Sequence, residues 1–290
     1  MKPISTLIVG CGDIGARTGK LLQPAGHVIS AVCRNPQGLP PGFLGYPADY
    51  CQEMSLGFLE RLAPDYVLAT FKPAGFNAEG YQLGFPYAVR NLLAGLGSHR
   101  PQAIFMVSST RVLAERDGGW VDESGLLTRE GFAAGAIVEA EQLLASSDHV
   151  SCIVRFGGIY GDSAGRMIAR VARGELCSAE PPRYSNRIHR EDCAGFLQHL
   201  ICLAASGKPL APVYLGVDSE PAPQYEVEGW LARQLGVSGR SAVAPTDGGR
   251  SAGHKRCSSA LLKQSGYQLR YPGYREGYRA VLAARANATS

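Results

Sequence analysis

Six residues near the N-terminus have the spacing of a phosphate-binding turn, and they are Gly10, Cys11, Gly12, Asp13, Ile14 and Gly15. The turn follows an apolar run typical of a buried strand and opens a stretch with helical spacing. In such a turn Gly10 allows a tight bend, Gly12 lets a phosphate approach the backbone, and Gly15 lets helix and strand pack closely. Unpaired N–H groups at the helix start attract phosphate. The pattern predicts a dinucleotide-binding site, against the alternative of a strand–helix turn with incidental glycines.

The residues that follow the second predicted strand, Val28–Val32, indicate which dinucleotide binds. A site for NAD usually carries Asp or Glu there, to hold the ribose diol. This chain has Cys33 and Arg34 instead and no carboxylate, and a guanidinium pairs well with a 2′-phosphate. We therefore expect NADP(H), with NAD(H) left open because Arg34 can equally be a solvated arginine. Asp49, after the third predicted strand, is expected either to hold the adenine amine or to close a turn.

Polar side chains also follow the fourth and fifth predicted strands, Tyr66–Phe71 and Ala103–Ser108. In an open parallel sheet the ligand lies beyond the carboxyl ends of the strands. We expect Thr70 and Ser108 to line the cofactor, and we take Lys72, Ser109 and Thr110 as catalytic candidates. The alternatives are a solvated lysine and hydroxyl groups that only close the end of a strand.

Two later segments carry the remaining candidates. Tyr160 follows the sixth predicted strand and is a further catalytic candidate, with packing beneath the cofactor as the alternative. Arg187 and His189 precede a predicted helix and are expected to bind substrate, unless they are structural. The cationic group around Arg187 suits an acidic or phosphorylated substrate, and Arg256 in a late loop raises the same question. Arg155, near the end of the sixth strand, is expected to pair with a carboxylate.

The elements that must position these residues alternate between strand and helix. Repeated units of this kind build a parallel sheet with helices on both faces. The sequence therefore predicts an α/β fold with a doubly wound, Rossmann-type parallel sheet. We expect a dinucleotide-binding core over residues 1–160 and a small, mixed C-terminal substrate lobe over 161–290, with elements at about 188–218 that return to the core.

Five motifs in a fixed order carry a family resemblance. After the glycine turn come SSTRVL at 108–113, EAEQLL at 139–144, VRFGGIYG at 154–161 and RIHREDCA at 187–194. Together, over roughly residues 4–265, they resemble the extended short-chain dehydrogenase/reductase family, and more narrowly its NAD-dependent epimerase/dehydratase-like branch. The resemblance implies a Rossmann sheet with a C-terminal substrate lobe, and it places Ser109 at the family's catalytic serine.

The chain departs from this family at the catalytic Tyr and Lys of the Y-x-x-x-K motif. The resemblance places these residues near 133–134 and 137–138, where the chain has Ala133, Ala134, Ile137 and Val138. None of the thirteen tyrosines has a lysine four residues later. The chain thus resembles the atypical members that lack the dyad. Hydride transfer to a carbonyl needs a proton donor near the developing alkoxide, so another group would have to serve.

Three functions remain open on these observations. The first is an NADP(H)-binding oxidoreductase or epimerase-like enzyme that acts on a carbonyl or hydroxyl group of a small molecule through a non-standard proton donor. The second is a non-catalytic dinucleotide-binding sensor or regulator, which the missing dyad favours. The third is an isomerase- or cyclase-like enzyme in which the cofactor is structural.

The bulk composition limits the kinds of partner. The 290-residue chain has a formal net charge of +4 and no basic block, so we expect no nucleic-acid partner. No apolar run is long enough to span a membrane, and no membrane association is expected. The eight cysteines are scattered, without the Cys/His spacing of a zinc site, which indicates the buried thiols of a cytoplasmic protein and no metal. A homodimer is left open.

Overall fold

The structure, a computed structural model, describes residues 3–237, 241–242 and 254–289. Its strands are β1 (Ile4–Val9), β2 (His27–Cys33), β3 (Leu44–Pro47), β4 (Tyr66–Ala69), β5 (Ala103–Ser109), β6 (Trp120–Val121), β7 (Ser151–Phe156), β8 (Gly158–Tyr160), β9 (Glu175–Leu176), β10 (Tyr184–Ser185), β11 (Arg187–His189), β12 (Val213–Gly216), β13 (Ala222–Pro223), β14 (Ser241–Ala242) and β15 (Arg256–Cys257). Its α-helices are α1 (Asp13–Leu22), α2 (Leu59–Leu62), α3 (Ala78–Gln82), α4 (Ala88–Leu96), α5 (Phe132–Ala145), α6 (Arg166–Ala172), α7 (Arg190–Ala205), α8 (Gln224–Gln234), α9 (Ala260–Gln264) and α10 (Tyr274–Thr289).

Seven of the strands form one sheet in the order β12-β7-β5-β4-β1-β2-β3. The pairs β1–β2, β1–β4, β2–β3 and β4–β5 are all parallel. From β1 the chain moves outward through β2 and β3 on one side and through β4 and β5 on the other. The order therefore reverses between β1 and β4, which is where doubly wound sheets bind ligands. The predicted Rossmann-type sheet is confirmed.

The central strands are apolar because both of their faces are covered. Leu7, Ile8 and Val9 of β1 have no exposed surface, and all four residues of β4 are buried. Continuous apolar runs of this kind are typical of parallel strands between two layers of helices. The buried strands give the residues at their carboxyl ends a rigid support.

The chain divides into two compact units. Unit 1 comprises Met1–Val112, Leu127–Arg155 and Cys193–Tyr214. Unit 2 comprises Leu113–Leu126, Phe156–Asp192 and Leu215–Ser290, and one of its apolar clusters is built around Trp230, Leu231, Tyr274 and Tyr278. Within the described residues, no helix combines the length and the apolar character that a membrane crossing requires.

The region before α4 contains a proline within helical structure. Helical structure already begins with α3 and continues through a π-helical turn, Leu83–Tyr87, that contains Pro86. Proline lacks the N–H of a regular helix and its ring clashes with the preceding turn, and a widened turn accommodates it. A Cβ on Gly84 would collide with the backbone of Lys72 and Pro73. This close approach packs the helix against the loop that follows β4.

The short strands of unit 2 escaped sequence prediction. The segment 179–187, which contains two prolines, includes β10 and the start of β11. These strands pair in twos, with β11 parallel to β8 and β15 parallel to β6. Strands of two or three residues are too short to show a hydrophobic period, so only their partners reveal them.

Candidate functional site

The glycine turn between β1 and α1 has a geometry that requires glycine at two positions. Gly10 has a φ of 81°, and its N–H donates to Val32 O at 2.9 Å. A Cβ on Gly10 would lie 2.9 Å from Thr70 O, and one on Gly15 would lie 2.9 Å from Cγ2 of Ile8. The turn is therefore tight, and α1 packs directly on β1, as the glycine spacing predicts.

Gly12 faces open space at the same turn. It is the N-cap of α1, and a Cβ built there would meet no atom nearer than Gly10 O, at 3.9 Å. The helix start supplies partial positive charge to this space. The exposed Asp13 carboxylate pairs with Arg17 at 2.8 Å, while burial raises the pKa of the half-buried Cys11 thiol to about 12. Because Gly12 has no Cβ, the space beside its backbone is open, and a phosphate group fits there.

The ends of β3 and β4 close the turn from one side. The Thr70 hydroxyl donates to Gly10 O at 2.7 Å and so ties β4 to the turn. Tyr50, which sequence analysis missed, is 8% exposed and its ring lies against Gly10. Its hydroxyl accepts the N–H of Lys72 at 3.4 Å, and burial raises the pKa of the phenol to about 12. The only sequence signal for Tyr50 is its position directly after Asp49.

Arg34 and Asp49 lie at the ends of the neighbouring strands β2 and β3. The Arg34 side chain is exposed. Asp49 closes a turn, because its Oδ1 accepts the Cys51 N–H at 3.0 Å. Burial raises the pKa of the Cys51 thiol to about 11, and the Arg34 guanidinium opposes that rise. The predicted cofactor roles of Arg34 and Asp49 stay predictions.

The end of β5 rests on a buried ion pair. The Ser108 hydroxyl donates to Oε1 of Glu141 at 2.5 Å, and Arg155 donates to both oxygens of the same carboxylate, at 2.7 Å for the shortest bond. The side chains of Arg155 and Glu141 are 5% and 3% exposed. The expected pairing of Arg155 is confirmed. Sequence analysis missed Glu141 as the partner because the three residues come from β5, α5 and β7.

Ser109 and Thr110 follow on the same strand end, both half-buried. The Ser109 Oγ accepts the backbone N–H of Arg111 at 3.2 Å, so its own hydroxyl hydrogen can point to a ligand. Lys72, at the end of β4, has an exposed side chain, and its backbone is held by Tyr50 and Gly84. The structure thus places the Lys72, Ser109 and Thr110 candidates on carboxyl ends of two neighbouring strands, and their catalytic roles stay predictions.

The positions where the family has its Tyr and Lys lie on α5 and are apolar. Ala133, Ala134, Ile137 and Val138 are 9%, 3%, 3% and 1% exposed. Ile137 and Val138 belong to the main apolar cluster of unit 1. No ionisable group stands at these four positions, so the usual dyad has no substitute there.

The remaining predicted residues lie in unit 2. Tyr160 stacks on Tyr278, with ring centroids 4.5 Å apart, and burial raises the pKa of its phenol. His189 is 3% exposed, pairs with Tyr160 across β11 and β8, and accepts the Glu191 N–H on Nδ1 at 3.2 Å. Arg187 is 4% exposed and donates to Oε1 of Gln224 at 2.8 Å. The structure brings Tyr160 and His189 together, and their predicted roles stay predictions.

Asp192 lies in the first turn of α7, which begins at Arg190. Its carboxylate accepts the backbone N–H groups of Arg270 and Tyr271, at 2.7 and 2.9 Å. Burial raises the pKa of Asp192. This residue ties the start of α7 to the segment before α10.

A doubly wound parallel sheet with an open glycine cradle at its switch point defines the class of Rossmann-type nucleotide-binding proteins. Neither a family model nor a curated protein matches the chain. A candidate NAD-dependent epimerase/dehydratase of Methylobacillus flagellatus, known from its structure, is 33% identical, with 98% of this chain and 100% of that chain covered and a TM-score of 0.83. The chain belongs to the extended short-chain dehydrogenase/reductase family, in its NAD-dependent epimerase/dehydratase branch.

Two more distant structures share the fold. UDP-glucose 4-epimerase of Thermotoga maritima, solved with UDP-glucose, is 15% identical with a TM-score of 0.81, and 99% of this chain and 100% of that chain are covered. The human epimerase family protein SDR39U1, solved with NADPH, is 18% identical with a TM-score of 0.72, and 98% of this chain and 100% of that chain are covered. Because its Tyr and Lys positions are apolar, the chain is an atypical member of the family.

Proposed function

We propose that this protein is an NADP(H)-dependent oxidoreductase or epimerase-like enzyme that acts on a carbonyl or hydroxyl group of a small molecule. The observation that carries the proposal is the open backbone cradle at Gly12, beside the switch point of the sheet. The distant structures support the cofactor class, since one was solved with NADPH and another, MoeE5, with NAD and UDP-glucuronic acid.

The choice of NADP(H) over NAD(H) rests on the end of β2. No carboxylate follows this strand to hold a ribose diol, and the exposed Arg34 guanidinium stands there instead. Its planar fork pairs with a 2′-phosphate through two parallel hydrogen bonds. The cradle at Gly12 and the start of α1 would hold the pyrophosphate.

The chemistry at the ends of the strands depends on which hydroxyl groups already donate a hydrogen bond within the protein. When bound, the nicotinamide supplies or accepts a hydride. The Ser108 hydroxyl donates its hydrogen to Glu141. The Ser109 Oγ accepts a backbone N–H, so its own hydroxyl hydrogen can be donated to another group. Ser109 is therefore the group able to donate to a substrate oxygen and stabilise negative charge that develops there. The proton would reach this oxygen from water through Ser109 or Thr110, because α5 offers no Tyr and Lys.

The proposal is tested first by binding and then by turnover. Titration of the protein with NADPH, followed by the fluorescence of the dinucleotide and by thermal stability, should show saturation. NADPH oxidation with a panel of small carbonyl compounds then reports catalysis, and Ser109→Ala should lower any turnover by about 10²–10³-fold. Ser146→Ala, at the exposed end of α5, is the matched control and should change nothing. A protein that binds neither NADPH nor NADH refutes the proposal.

A non-catalytic dinucleotide sensor is the second candidate. It is favoured by the buried apolar side chains at the Tyr and Lys positions of α5, including Ile137 and Val138. The two candidates separate in one experiment, because a sensor binds NADPH yet shows no oxidation with any carbonyl compound. In that case Ser109→Ala would leave NADPH affinity unchanged and would have no turnover to lower.

A further inference from the structure

A guanidinium group in unit 2 lies against two aromatic rings. The Cζ of Arg256 is 5.4 Å from the centroid of the Trp120 ring and 4.8 Å from that of Tyr184. Its Nε donates to Gly118 O at 2.8 Å. The Tyr184 ring also stacks on the His254 ring, and the angle between the two ring planes is 11°. We call these five residues the Arg256 stack.

The backbone holds the stack in place. Arg256 and Trp120 are directly paired in the parallel ladder of β15 and β6. The Arg256 N–H donates to Gly119 O and the Ser258 N–H to Val121 O, both at 2.8 Å. The Tyr184 N–H donates to Nδ1 of His254 at 3.0 Å. Because the guanidinium is fixed before a ligand arrives, binding there would cost little side-chain entropy.

Within the part of the chain that the structure describes, the terminal nitrogens of Arg256 donate no hydrogen bond. Among the described residues, no carboxylate pairs with this arginine, and Gly118 O, bound by Nε, is the only hydrogen-bond acceptor of its guanidinium group. The contrast is Arg270, which also lies over a ring, that of Tyr271 at 5.5 Å, but is paired with Glu191 at 2.7 Å. A guanidinium that packs on rings through its plane keeps its edge for hydrogen bonds, and this edge binds oxyanions through two parallel hydrogen bonds.

The Trp120 ring completes the surface. It is 60% exposed, although it lies beside a cation. An exposed indole next to an arginine offers apolar contact area to whatever carries the anion, and it lowers the local dielectric around the ion pair. The stack therefore combines a fixed cation with an apolar wall.

We propose that the Arg256 stack is a binding site for an oxyanion, carboxylate or phosphate, of a small organic molecule whose body packs against Trp120. The two terminal nitrogens of Arg256 bind the anion. The anion site stands independently of the proposed function. Only the further statement, that the anion is part of the enzyme's substrate, rests on that function.

Trp120 makes the site measurable. The chain has two tryptophans, and Trp230→Phe leaves Trp120 as the only one. Titration of this variant with pyrophosphate and, separately, with malonate at constant ionic strength should give a saturable change in fluorescence with at least one of them, and the stronger ligand distinguishes phosphate from carboxylate. Arg256→Lys keeps the charge but loses the planar fork, so the affinity should fall at least about tenfold. Arg270→Lys is the matched control and should bind as before.

Two outcomes overturn the proposal. One is the absence of saturable binding of either anion, and the other is unchanged affinity in Arg256→Lys. If thermal melting shows that Arg256→Lys does not fold, Trp120→Leu, followed by calorimetry, must weaken binding instead. NADPH affinity is measured in parallel and should be the same in Arg256→Lys as in the wild type. A protein that binds the anion but not NADPH refutes the proposed function and leaves the anion site standing.

Discussion

The hydroxyl group of Ser108 donates to the carboxylate of Glu141 at 2.5 Å, and this carboxylate is held in turn by Arg155. The three buried side chains join β5, α5 and β7. The network fixes the strand end that carries Ser109, and it determines which of the two neighbouring serines still has a hydrogen to donate. A catalytic role for Ser109 would therefore depend on this buried network, which supports its strand end.

Loss of one member of this ion pair should destabilise unit 1 strongly. Glu141→Gln leaves the guanidinium of Arg155 buried without a counter-charge, which costs about 3–5 kcal/mol. The change in unfolding free energy is measured by denaturant titration. Glu139 lies on the same helix and forms a partly exposed ion pair with Arg90. Glu139→Gln breaks this pair and should lower the unfolding free energy by less than about 1 kcal/mol. Similar losses for the two variants would contradict the buried-pair assignment.

Two glycines of the turn should respond differently to the same substitution. Gly10→Ala forces a side chain into a backbone with a φ of 81° and against Thr70 O, so the melting temperature should fall. Gly12→Ala meets open space and should fold normally, while its methyl group excludes the phosphate and weakens NADPH binding by roughly tenfold or more. If Gly12→Ala binds NADPH as tightly as the wild type, the cradle is not the phosphate site.

Arg34 should discriminate between the two nicotinamide dinucleotides. Arg34→Ala removes the guanidinium proposed to meet the 2′-phosphate, and NADPH affinity should fall by about tenfold while NADH affinity changes little. Dissociation constants are compared at one ionic strength, with the exposed Arg61→Ala on α2 as the control. Equal effects of Arg34→Ala on NADPH and NADH would remove the basis for the NADP(H) assignment.

The stability of the fold should depend on pH through Asp218. Burial raises the pKa of this carboxyl from 3.8 to about 7, and its Oδ2 has no hydrogen-bond partner among the residues described. Because the pKa is raised on folding, the protonated acid favours the folded state, and this contribution is lost progressively as the pH rises from about 3.8 to about 7. Asp218→Asn keeps the shape without the charge. Its melting temperature should fall less between about pH 4.5 and about pH 7 than that of the wild type, and parallel curves would refute this role.

The parts of the fold that sequence predicts well are those with a strong local signal. Continuous apolar residues predict β1 and β4, and the helical spacing of apolar residues predicts the long helix α7. The two-residue strands β6 and β15 carry no such signal, since each exists only because the other lies beside it. For the same reason the Arg256 stack is invisible in the sequence, although Trp120 and Arg256 are adjacent across the ladder.

The glycine turn was determined by the sequence alone, because the conformations of Gly10, Gly12 and Gly15 follow from residue type and spacing over a few positions. The absence of the Tyr and Lys dyad was equally readable from the chain. Only the tertiary structure decided that Tyr50 closes this turn and that Glu141 is the partner of Arg155. Such contacts join residues far apart along the chain, and their energy comes from burial and from pairing of charges, neither of which local spacing encodes.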